Sequence, residues 1–213
     1  MQINLYKILI IHNFTANLKK DMKITLLGTG TSQGIPVIAC DCKVCTSKNP
    51  KDNRLRTSIL IEENNQTIVI DTGPDFRQQM LRENVQKLDA IVFTHQHKDH
   101  VAGMDDIRAF NYKFKKDMDI YCTAEVEEAL IREFPYVFSA YKYPGVPEIK
   151  VHNIKNEPFI INDFYKIQKK YGYIPRRKRQ KRLHNKFSYY LIIQKIATKD
   201  LEYEWEKTGA TTK

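Results

Sequence analysis

From Lys23 to Glu133 the chain alternates between short apolar runs of strand character and apolar stripes at helical spacing. Residues 24–27 form a buried-strand run that enters a Gly-rich loop from Gly28 to Gly34. Residues 57–61 and 67–71 flank a polar stretch whose Asn64-Asn65 pair suits a turn, which predicts a β-hairpin. Gly73-Pro74-Asp75 opens an amphipathic helix through Asn84, with Phe76, Met80 and Leu81 expected on its core face. Residues 88–94 then read as a near-continuous apolar strand of the kind buried on both faces. Met104, Ile107 and Phe110 mark a further helix, Ile120-Tyr121-Cys122 a strand, and Thr123 the N-cap of a helix with Glu125, Glu127 and Glu128 near its start. Residues 143–161 look irregular and proline-bearing, and from Phe164 onward the character is basic, aromatic and polar. Interleaved strands and helices predict an α/β protein whose helices cover a sheet.

Composition narrows the class without naming a function. The 213 residues are 42% hydrophobic and 28% charged, with 8 Gly and 8 Pro, as in a globular chain of one domain of ordinary size or of one domain plus a tail. No stretch reaches the roughly 20 apolar residues of a membrane-spanning helix. Residues 1–21 carry a short apolar run interrupted by Lys7 and lack a small-residue cleavage site, so they read as an extension ahead of Met22 rather than a secretory signal. The net charge of +10 is concentrated: Lys166, Lys169, Lys170, Arg176, Arg177, Lys178, Arg179, Lys181, Arg182 and Lys186 lie together without an acid among them. The rest of the chain is neutral, so the charge describes one segment and not the whole surface.

Two clusters carry chemistry. Cys40, Cys42 and Cys45 are spaced too tightly for ordinary disulfides and suit metal thiolates, which points to a reducing compartment, whereas Cys122 reads as core. The other cluster is Thr94-His95-Gln96-His97-Lys98-Asp99-His100, directly after the buried strand. Imidazole nitrogen and carboxylate oxygen are the donors that Zn²⁺, Mn²⁺ and iron prefer, and a strand end holds them rigidly. The Gly-rich loop, by contrast, lacks the lysine of a phosphate-cradling nucleotide loop.

The pattern His95-x-His97-x-Asp99-His100 after a buried strand resembles the signature of the metallo-β-lactamase fold. The opening strand with its Gly-Thr-Gly loop is similar too, and Asp71 resembles the aspartate that supports the metal-binding loop. Within that superfamily, Thr31-Ser32-x-Gly34-x-Pro36 followed by the three cysteines most resembles the phosphoribosyl cyclic phosphate phosphodiesterases. The resemblance implies an αββα sandwich over residues 22–163, incomplete in its second half, with residues 1–21 an extension and 164–213 a basic divergent segment. It implies two divalent ions, Zn or Mn, the first on His95 and His97 and the second on Asp99 and His100. A metal-bound hydroxide would attack a phosphodiester, with Asp99 orienting the water. Cys40, Cys42 and Cys45 would hold a structural zinc. The implied setting is cytoplasmic, with a small phosphodiester as substrate, nucleic acid as the lesser candidate, no membrane, and a homodimer left open.

The resemblance also implies a later histidine for each metal and a bridging aspartate. Of the remaining histidines, His184 precedes an apolar run at 187–193, His152 reads as a surface strand residue, and His12 lies outside the fold. No matching aspartate motif follows, Asp200 sitting between Lys199 and Leu201. Two rivals therefore stand beside the phosphodiesterase: a ribonuclease of the transfer-RNA 3′-processing type using the basic segment, and an inactive truncated member of the family.

Overall fold

The computed structural model describes residues 22–63 and 65–155 and the strands 159–161, 165–173 and 187–195. The chain divides into two units, the larger spanning Phe14–Glu157 and the other containing Pro158–Lys213.

In the larger unit six strands make one mixed sheet in sequential order: β1 (Lys23–Gly28), β2 (Ser58–Glu63), β3 (Gln66–Ile70), β4 (Ala90–Val92), β5 (Met118–Cys122) and β6 (Ile149–Asn153). β1, β2 and β3 pair antiparallel, and β3 to β6 pair parallel. The predicted hairpin closes tightly, Glu63 opposite Gln66, with Asn65 at φ 61°, a left-handed conformation that asparagine tolerates better than most residues. Because β1 runs in the same direction as β3 and β4, the Gly-rich loop leaves the sheet at the edge where those two strands also end. Open α/β sheets bind ligands at that carboxyl edge.

Among the described residues five α-helices accompany the sheet: α1 (Phe76–Arg82), α2 (Lys98–Val101), α3 (Arg108–Phe114), α4 (Ala124–Glu133) and α5 (Pro135–Phe138). One sheet face, through Leu60, Val69, Ile91 and Ile120, packs with Phe76, Met104, Ile107, Val126 and Leu130 into a single core. Truncating a fully buried member such as Ile91 to Ala costs about 3 kcal/mol by lost transfer energy and cavity formation. On the opposite face Ile61, Ile68, Ile70, Ala90 and Val92 are buried as well, which explains why β3 and β4 lack polar alternation. Cys122 belongs to the core, as its strand position suggested.

Three expectations change. Leu81 is 63% exposed, and Gln79 takes the inner position, because residues 76, 79 and 80 share a helical face while 81 lies about 140° from Phe76. The stripe of Met104, Ile107 and Phe110 is buried as expected but is split between a 3-10 turn (Met104–Ile107) and α3. Within the stretch read as irregular, residues 149–153 form β6, whose partner β5 supplies a complete parallel ladder from Met118↔Ile149 to Cys122↔Asn153. Thr123 occupies the N-cap of α4 with no side-chain capping hydrogen bond.

The other unit contains an antiparallel three-stranded sheet, β7 (Phe159–Ile161), β8 (Tyr165–Tyr173) and β9 (Phe187–Lys195), in that order. β9 covers the apolar run at 187–193. The arginine-rich run at 176–182 and His184, like His12 and Asp200, lie outside the described residues. Among the described residues no helix is long and apolar enough to cross a membrane.

Candidate metal centre

Asp71 is the hub of the site. It follows β3 with φ 63°, a turn that directs a carboxylate, 3% exposed, towards the segment leaving β4. One oxygen accepts the backbone N–H of Thr94 at 2.8 Å; the other accepts the Thr94 hydroxyl and Nδ1 of His100, both at 2.7 Å. Ser58 secures the same turn from β2, its hydroxyl lying 3.0 Å from the Ile70 carbonyl and 2.9 Å from that of Asp71.

These bonds decide which ring nitrogens face outward. His100 gives its Nδ1 proton to Asp71, so Nε2 is the nitrogen left for a metal, and it lies 3.2 Å from Asp99 Oδ2. The Thr94 hydroxyl spends its single proton on Asp71 and therefore accepts from Nδ1 of His95, 3.0 Å away. Both histidines are thus held in the same tautomer by second-row partners, the arrangement that orients imidazoles in metal sites. The His95 ring stands 3.9 Å from that of His100 and 4.7 Å from that of His97, centroid to centroid.

Burial, reinforced by the charge of His100, lowers the pKa of His95 to about 4, so its imidazole is neutral and a competent donor at pH 7. Burial acts the same way on His100 but is outweighed by the hydrogen bond and charge of Asp71 and by Asp99, and its pKa is raised. A metal at Nε2 therefore competes with a proton there.

Glycines let the loops meet backbone to backbone. A Cβ on Gly73 would lie 2.2 Å from the Asp99 carbonyl oxygen, and one on Gly103 would lie 2.2 Å from that of Gly73. The Gly103 amide closes the contact by donating to Thr72 at 2.8 Å. From the outside, Lys98 on α2 pairs with Glu133 on α4, and Tyr136 donates to Asp105 at 2.6 Å.

The donor chemistry of His95, His97, Asp99 and His100 suits a divalent ion. Their ligand atoms do not gather into any group of three within 4.8 Å of one another. The cysteines do gather: Cys40, Cys42 and Cys45 offer sulfurs all within 4.8 Å, the one such group among the described residues. The Val37 amide donates to Cys45 Sγ at 3.4 Å. The amide of Cys45, then the Cys40 thiol and the Val44 amide, lower the Cys42 thiol to about 7, while burial and the neighbouring thiols push Cys45 up against the pull of the Val37 amide. His152 is elsewhere, in β6, bonded to Asp119 at 2.7 Å and stacked on Tyr121.

Sequence reasoning located the motif and Asp71. It missed Thr94, Ser58 and Gly73, whose roles arise from contacts across 13 to 26 positions, with no local signal to betray them.

Comparison with known proteins shows the family. The beta-lactamase superfamily domain matches residues 66–182, more than half of the chain, and the chain belongs to that superfamily. A crystal structure of a diphosphatase from the PhnP family is 35% identical with a TM-score of 0.64, over 71% of this chain and 57% of that one. Zn²⁺-bound PqqB from Methylobacterium extorquens shares the fold at 19% identity and a TM-score of 0.56, over 70% of this chain and 52% of its own. An octanoyltransferase of Porphyromonas gingivalis is 40% identical over 144 residues, 67% of this chain but 29% of that protein. The chain thus spans about half the length of these solved relatives, and most of the octanoyltransferase lies outside the match.

Proposed function

We propose that the chain is the metal-binding part of a metal-dependent hydrolase that cleaves phosphodiesters, with a small cyclic phosphodiester as the substrate class, working in a reducing, cytoplasmic setting. The observation that carries this reading is the Asp71 network, which turns Nε2 of His95 and of His100 outward beside Asp99. Divalent ions, zinc or manganese, held by His95 and His97 and by Asp99 and His100, supply Lewis acidity towards a phosphoryl oxygen and acidify a water.

The chain's own residues do the rest. Asp71 anchors the Nδ1 proton of His100, so that the ring cannot rotate or change tautomer during turnover. Thr94 does the same for His95. Asp99 orients the attacking water through its carboxylate. The cysteine loop holds a structural zinc away from the reaction. The remaining ligands come from residues outside those described or from a second copy of the chain. The relative from the PhnP family is a diphosphatase, an enzyme of phosphate linkages, which supports the substrate class.

The test is metal content by elemental analysis alongside hydrolysis of bis(p-nitrophenyl) phosphate and of a 2′,3′-cyclic nucleotide. The expected result is metal beyond that of the cysteine loop, lost together with diesterase activity in a His95→Ala/His97→Ala variant. Metal content unchanged by that variant overturns the reading in favour of an inactive family member. Cleavage confined to RNA, with a steep salt dependence, would move it to the ribonuclease class.

A further inference from the structure

Asp75 stands at the N-cap of α1, where an aspartate ordinarily bonds amides of its own helix, yet its side chain makes no capping bond. The carboxylate turns instead to Arg56, 19 positions earlier: one oxygen accepts the Arg56 amide at 2.8 Å and the other accepts Nη1 at 2.9 Å. The two side chains are 27% and 16% exposed, so solvent and salt screen this pair less than a surface ion pair. The guanidinium reaches further, its Nε donating to the Ser32 carbonyl at 2.8 Å. Gln79 of α1 steadies the arginine from behind, its Nε2 donating to the Arg56 carbonyl at 2.9 Å.

Ser32 lies at the exposed tip of the Gly-rich loop, in the turn that the Gly34 amide closes on the Thr31 carbonyl at 2.9 Å. The base of the loop is secured to the segment that leads into β2: Gly30 bridges Arg56, Ile35 bridges Arg54, and the Thr57 hydroxyl donates to the Gly30 carbonyl at 3.0 Å. Arg56 Nε carries that attachment out to the tip. Asp71 and Asp75, at the two ends of one turn, therefore serve two loops. Asp71 holds Thr94 and His100 of the metal loop, and Asp75 holds the Gly-rich loop through Arg56. Both loops leave the sheet at the same edge.

We propose that Asp75 and Arg56 are positioning residues: through Ser32 they fix the tip of the Gly-rich loop relative to the histidines, so that a substrate at the metals meets the loop in one arrangement. The proposal rests on the hydrolase reading for what is positioned, whereas the tether itself does not need it. Arginine suits the task because its planar fork donates from Nε and Nη1 to two partners at once, which an ammonium on a flexible stem does not.

Two full-chain variants test this. Arg56→Lys keeps a cation opposite Asp75 and gives up the bond to Ser32; Asp75→Ser gives α1 a capping side chain and gives up the ion pair. Each is followed by thermal melting, by hydrogen exchange at the Gly34 amide, and by hydrolysis of bis(p-nitrophenyl) phosphate with zinc or manganese added. For Arg56→Lys the expected result is melting as in wild type, exchange at Gly34 faster by roughly tenfold, and KM raised severalfold with kcat and metal content unchanged. Asp75→Ser repeats the exchange and KM effects and serves alone if Arg56→Lys does not fold. Unchanged exchange at Gly34 overturns the proposal and leaves the hydrolase reading standing. Faster exchange with unchanged KM also overturns it, because the tether then serves loop stability alone. A wild-type chain that cleaves no diester sinks the hydrolase reading and the positioning role with it, and faster exchange in the variants would then show the tether by itself.

Discussion

The histidine loop and the cysteine loop both offer donors that suit a metal but are built in opposite ways. The cysteine loop is local: its sulfurs converge within six residues, it is largely exposed, and its order comes from turns such as Cys40 N–H to Val37 O and Thr46 N–H to Cys42 O. The histidine loop is assembled from a distance, by an aspartate at the end of β3, a serine in β2 and glycines that bring three backbones together. A local cluster can be lost or restored without disturbing the fold, whereas the histidine loop shares its supports with the core.

Replacing the hub should break this contrast most sharply. Asp71→Asn leaves three donors facing an amide and should cost about 2 to 3 kcal/mol of stability and roughly 10- to 100-fold in metal affinity at the histidines. Denaturant titration and metal competition check it, and the cysteine loop should keep its metal. Close behind comes Gly73→Ala, whose methyl would displace the Asp99 carbonyl. A loss of about 1 to 3 kcal/mol with reduced metal uptake is expected; melting at wild-type temperature would show that the loops separate freely.

The two loops should also respond differently to pH. His100 has a raised pKa, so in metal-free protein its contribution to stability is complete below the unfolded value of 6.5 and is lost as pH rises through the folded value. Metal uptake, which expels the same proton, should strengthen over that window; calorimetry in buffers of different ionisation enthalpy reads the released proton. In the cysteine loop, iodoacetamide should modify Cys42 of the metal-free chain with a midpoint of about pH 7, ahead of Cys45, with no effect on the histidines. The smallest effect belongs to a pair outside both loops. Asp119→Asn removes the charge opposite His152 and Lys116 and should cost about 0.5 to 1 kcal/mol, with metal content untouched.

Much of this was legible along the chain because it is local. The strand at β4, the hairpin and the stripe of Met104, Ile107 and Phe110 are recognisable from period and neighbours. Leu81 misled because a helix only seven residues long shows too few turns to define its inner face. β6 was missed because a short parallel strand is stabilised by its partner, and Ile149 and Val151 alone are a faint signal.

By itself, then, the sequence determined which residues can donate to a metal, where the cysteines cluster, and that strands and helices alternate, since each depends on side-chain chemistry or spacing within a few residues. Tertiary structure alone decided which nitrogen His95 and His100 present, that Asp71 and Thr94 enforce it, and that Arg56 pairs with Asp75. Those outcomes turn on hydrogen bonds between segments many positions apart, whose geometry exists only once the sheet has brought the ends of β3 and β4 side by side.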